Sequence, residues 1–105
     1  MIDTERLAEL REEVGAEDLA EVVALFCEEV EETLDRIRRH PSGNLGEDLH
    51  FLKGSALNIG MSEVGQLCLA AEKSWRSDTS NPPDLAPIMH AFRKARQALC
   101  LELET

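Results

Sequence analysis

Aromatic side chains are nearly absent from this chain: one Trp, three Phe and no Tyr among 105 residues. A core made without them must come from Leu, Val, Ile and Ala, which favours helices over a β-sandwich. Positive charge is scarce as well, with 11 Lys and Arg against 21 Asp and Glu and a formal net charge of −10. That balance argues against nucleic acid, whose phosphates attract basic stripes, and against anionic membrane surfaces. Long apolar runs are missing, the longest being residues 22–27, far short of a membrane span. The start, Met1-Ile2-Asp3-Thr4-Glu5-Arg6, lacks the basic and apolar regions of a secretion signal. Cys27, Cys68 and Cys100 form no C-x-x-C pair, and each falls in an apolar helical stretch. They read as buried free thiols in a reducing compartment. His40, His50 and His90 show no ligand spacing, so no metal is expected. What is present is 43% hydrophobic residues, enough for a folded core, in a length that suits one domain over residues 1–105. The expectation is a soluble cytoplasmic protein.

Breakers divide the chain into five helical segments. Asp3 or Thr4 can cap a short helix through Val14, which Gly15 is placed to end. A longer segment spans residues 16–39 and stops before Pro41-Ser42-Gly43. Its Leu19, Val22, Val23, Phe26, Val30, Leu34 and Ile37 make one stripe at helical spacing, opposite an acidic face. His40, at its end, complements the negative end of the helix dipole. The third segment opens with Asn44 as N-cap and Glu47 three residues on, a capping-box arrangement, and stops at Gly60. A fourth runs from Ser62 to near Arg76, and residues 77–83 form a loop by composition. The fifth covers residues 84–102, with Pro87 tolerated in the first turn and His90 beside the core stripe. The fold class is therefore all-α: an antiparallel up-down four-helix bundle, with the short first helix across one end.

The third segment does not fit a purely structural account. At about 100° per residue, Leu45, Leu49, Leu52, Ala56 and Ile59 fall on one side and form the core stripe. His50, Lys53, Gly54 and Leu57 fall on the other. The His50 imidazole therefore points away from the core, with an ammonium one turn along. A mid-helix Gly costs roughly 0.5–1 kcal/mol relative to Ala, so Gly54 calls for a reason: close approach of another molecule, or close helix packing. A nearby cation keeps an imidazole neutral and nucleophilic, and would also stabilise a phosphoryl group on the ring. Leu57 could offer apolar contact to a partner.

The run His50-Phe51-Leu52-Lys53-Gly54-Ser55-Ala56-Leu57-Asn58-Ile59-Gly60 closely resembles the signature of histidine phosphotransfer (HPt) domains. That pattern is His, any residue, Leu-Lys-Gly-Ser, a small residue, two variable residues, an apolar residue, then Gly. The likeness continues through Leu67, Cys68 and Glu72; outside residues 45–75 it extends only to the helix pattern. HPt domains are antiparallel four-helix bundles of about this length. The resemblance implies that His50 accepts a phosphoryl group on Nε2, that Lys53 balances its charge, and that Gly54 gives clearance to the partner. Ser55 and Ala56 match packing positions, and Gly60 the turn into the next helix. Glu72 falls where many members carry a group able to bond the His Nδ1–H. On the wheel of the fourth segment Val64, Leu67, Cys68, Ala71 and Trp75 face inward and Glu72 lies at their edge.

The partners so implied are response-regulator receiver domains and a sensor or hybrid histidine kinase. The receiver supplies Mg²⁺, and the chain needs no cofactor of its own and no nucleotide site. It would be a phosphocarrier, not an enzyme, and most simply a monomer. The docking face would comprise His50, Lys53, Gly54 and Leu57, with Gly46 and Glu47 one turn earlier. The net negative charge could steer cationic partner surfaces. A helical adaptor that binds receivers without carrying phosphate is the runner-up. A hydrolase built on His50 or His90 finds no Ser or Cys nucleophile motif and little concave space.

Overall fold

The computed structural model describes residues 2–39 and 44–104, with Glu104 described by its backbone alone. His40 and the breaker at 41–43 lie outside the described residues. Five helices follow one another: α1 (Thr4–Val14), α2 (Leu19–Arg39), α3 (Leu45–Asn58), α4 (Ser62–Ser77) and α5 (Ala86–Glu104). Helix α2 packs on α3, α3 on α4, α4 on α5, and α5 returns to α2, closing a four-helix bundle. Short connections make neighbouring helices antiparallel. The bundle measures 45 × 22 × 21 Å, and α3 is most closely married to α4.

Local chemistry sets the helix ends, not always where the sequence places them. Asp3 caps α1 by accepting from the Arg6 N–H at 3.1 Å, and Gly15, at φ +90°, ends it. Helix α2 begins at Leu19 and not near Ala16, because residues 16–18 form a turn in which the Asp18 N–H donates to Gly15 O at 3.2 Å. The Asp18 carbonyl then accepts the helical bond from Val22 at 3.0 Å. The expected capping box of Asn44 and Glu47 does not form. Asn44 occupies the N-cap position at φ −97°, ψ 18° and makes no side-chain cap bond; the extended backbone from which a cap side chain reaches the first turn is missing. Helix α5 begins at Ala86 and not Asp84, whose carboxylate instead accepts from the Ala86 N–H at 3.0 Å.

Burial follows the helical period. Leu45, Leu49, Leu52, Ala56 and Ile59 are buried, against Val23, Val30, Leu34 and Ile37 of α2 and Ile88, Phe92, Ala95 and Leu99 of α5. On α4, Val64 and Cys68 are buried, while Leu67, Ala71 and Trp75 are half-buried against the core. Cys27 and Cys68 are buried free thiols as expected, but Cys100 is exposed. It sits one residue beyond the buried Leu99, which rotates it off the α5 stripe by about 100°.

The end of the bundle that holds the α3–α4 turn is tied down by the N-terminal segment. Gly60 makes the turn at φ +80°, and the Met61 N–H returns to Ala56 O at 2.9 Å. Gly60 O accepts from the Asp3 N–H at 2.8 Å, Ile2 pairs with Met61 in an antiparallel bridge, and Arg6 Nε donates to Asn58 O at 3.1 Å. With Leu7 and Leu10 buried and α1 packed on α2, the short helix closes this end.

Candidate functional site

His50 lies in the middle of α3, where both neighbouring turns hold it by main-chain bonds. Its side chain is 64% exposed. The buried Leu49 and Leu52 on either side fix the helix rotation that turns the ring outward. Nδ1 faces α4, 3.3 Å from Glu72 Oε2.

Glu72 is where sequence and structure part most. The wheel puts it at the rim, yet its side chain is only 3% exposed, in the seam between α3 and α4. A carboxylate can occupy such a place only with compensating partners, and it has them. Arg76, one turn along α4, donates Nη2 to Oε2 at 2.7 Å, and Lys53 Nζ stands 4.0 Å from Oε1. Among the described residues no buried side-chain polar atom lacks a hydrogen-bond partner. Arg76 did not emerge from the sequence as a site residue; its i, i+4 spacing from a buried acid is the signal that could have found it. The Cys68 thiol, one turn before Glu72, is pushed up to about 12, first by burial and then by the Glu72 charge. It stays protonated at neutral pH.

Lys53 is half-buried, its side chain 24% exposed and its ammonium turned to Glu72. Gly54 is bare: a Cβ built there meets nothing within 4 Å. Close helix packing is therefore not its reason. Gly65 of α4 is the opposite case, since a Cβ there would fall 2.5 Å from Leu57 Cδ2. That glycine, which the sequence did not single out, lets Leu57 lie on α4 while remaining 41% exposed. Phe51, at the variable position of the motif, is also exposed. Gly46 is half-buried, with space for a Cβ only at ordinary contact, 3.5 Å from Trp75 Cδ1. Glu47 is exposed on the turn before His50, and Asp48 is drawn away to α2 by Arg36 at 2.8 Å.

The family model for the Hpt domain matches residues 21–105. The chain belongs to the Hpt domain family. No curated protein and no solved structure matches it. Hpt domains serve His-to-Asp phosphorelays as carriers, without catalytic machinery or a cofactor site of their own. Among the described residues of this Hpt domain, no group of three or more His, Cys, Asp or Glu is placed to hold a metal ion. No helix among them is long and apolar enough to cross a membrane.

Proposed function

We propose that His50 is the phosphoacceptor of this Hpt domain, taking a phosphoryl group from the aspartate of a response-regulator receiver and passing it to another. The observation that carries this is the orientation of the ring: Nδ1 faces a buried carboxylate at 3.3 Å, which leaves Nε2 outward. A proton held on Nδ1 keeps the Nε2 lone pair free for attack. As the Nε2–P bond forms, the aspartyl P–O bond breaks and the aspartate leaves as a carboxylate. The phosphorylated ring keeps its Nδ1 proton and a positive charge, which Glu72 compensates. Lys53 balances the negative phosphoryl oxygens, and the receiver brings its own acidic cluster and Mg²⁺.

Gly54, with open space over it, admits the receiver to the helix backbone. Leu57 and Phe51 offer apolar contact, with Gly46 and Glu47 on the turn before. A sensor or hybrid histidine kinase stands at the head of such a relay, which places the reaction in the cytoplasm, and the carrier acts as a monomer. The test is incubation with a phosphorylated receiver, followed by acid and base treatment. Label that is acid-labile and base-stable, and that is lost in His50→Gln, is the expected result. Receiver binding by the wild type without any uptake of label would replace the carrier with an adaptor.

A further inference from the structure

Glu72 serves three partners with two oxygens, and two of them meet at one oxygen. Arg76 Nη2 holds Oε2 at 2.7 Å, whereas His50 Nδ1 stands 3.3 Å from the same atom. The shorter, charge-assisted bond goes to the arginine. The acid is buried, with 3% of its side chain exposed, but Arg76 is 71% exposed and reaches in from solvent. Lys53 engages the other oxygen, at 4.0 Å, and so does not compete for the one that faces the ring.

We infer that Arg76 is a positioning residue for His50: by competing for Oε2 of Glu72, it sets how firmly the carboxylate holds the Nδ1 proton. The neutral imidazole has two tautomers, and a carboxylate oxygen at Nδ1 favours the one with the proton there. While the guanidinium draws on that oxygen, the preference is moderated. Released from Arg76, Oε2 turns fully to Nδ1–H and the Nδ1–H tautomer gains. No other charged group described at the ring acts on this oxygen: Glu47 is exposed on the preceding turn of α3, and Asp48 is committed to Arg36 of α2. The consequence for phosphoryl uptake rests on the relay function proposed above, because only the Nδ1–H tautomer presents Nε2 as a nucleophile. The placement of the proton does not rest on it.

The experiment is ¹⁵N spectroscopy of the imidazole in the full chain, at a pH where His50 is neutral. The wild type is compared with Arg76→Gln, Arg76→Lys, Glu72→Gln and the double variant Glu72→Gln/Arg76→Gln. Arg76→Gln should raise the Nδ1–H to Nε2–H ratio about two- to threefold, the size expected from losing one competing exposed ion pair. Arg76→Lys, which keeps a cation four residues from Glu72, should restore the wild-type ratio. In the Glu72→Gln background the Arg76→Gln effect should fall below half its size. An unchanged ratio in Arg76→Gln, or an effect of half or more without the Glu72 charge, overturns the inference. Arg76 is 71% exposed but is one of the partners that hold the buried Glu72, so the amide spectrum of each variant checks that the bundle is kept, and Arg76→Lys retains the cation. Phosphoryl uptake is measured on the same samples. A wild type that takes no label removes the relay, leaving the nitrogen shifts to decide on Arg76. Normal uptake with unmoved shifts removes the role of Arg76 alone.

Discussion

In the proposed carrier, Gly54 is the residue at which fold and function pull apart. A side chain there would meet nothing in the bundle, so the helix gains no packing from the glycine. Gly54→Ala should therefore raise stability by about 0.5–1 kcal/mol, the ordinary helix-propensity difference. It should at the same time slow phosphoryl transfer from a receiver, because the added methyl stands in the path of approach. Denaturant titration and a transfer time course on one preparation check both halves. A destabilised variant would show that the glycine serves the bundle, and an unslowed one that clearance is not its task.

At the scale of the helical element, the α3–α4 hairpin carries the proposed site, and its turn is tightly constrained. Gly60 adopts φ +80°, and a Cβ there would sit 2.9 Å from Asp3 O, a backbone atom that cannot swing away. Gly60→Ala should cost about 1–3 kcal/mol from left-handed strain plus this contact, read as a lower denaturation midpoint. The effect should shrink when residues 1–3 are removed as well, since the contact goes with them. Much of this hairpin was legible beforehand. The alternation of Leu45, Leu49, Leu52 and Ala56 with His50, Lys53 and Leu57 is a strict helical period, and Gly60 is a plain stop signal. The rest was not, for physical reasons. Asn44 and Glu47 have the right identities for a capping box, but a cap depends on backbone angles that no residue type dictates alone. The burial of Glu72 was hidden because hydropathy assigns every carboxylate to the surface, and only the meeting of Arg76, Lys53 and His50 makes the seam habitable for it. Arg76 is hidden with it, because its i, i+4 spacing from Glu72 carries meaning only once the acid is known to be buried. Cys100 reads as buried because its stretch is apolar, but one residue of helical phase past the buried Leu99 puts it in solvent.

For the whole molecule, two buried thiols make stability depend on alkaline pH. Burial raises both Cys27 and Cys68, the latter from 9.0 to about 12. In the unfolded chain the thiols lose their protons near 9.0, while in the bundle they keep them to higher pH. Between those limits the unfolded state holds fewer protons, so stability is full below pH 9.0 and falls as the pH rises toward about 12. Each thiol contributes at most about 1.4 kcal/mol per pH unit to that slope. Urea titrations from about pH 8 to about pH 10.5 should show a plateau up to about pH 9 and a decline above it, and Cys68→Val should flatten that decline. A slope that is the same with and without Cys68 would place the alkaline sensitivity elsewhere.

His50 stands on a ridge rather than in a hollow, at 64% exposure on the flank of α3. Anything fastened to its outer nitrogen would be bathed by bulk water on every side but one. On the carrier role proposed above, Lys53 and Glu72 attend that cargo from the protein's side alone, and bulk water would reach it until another molecule covers it. The interval for which it is kept is then tuned from outside: it lengthens or shortens with how long a partner stays seated.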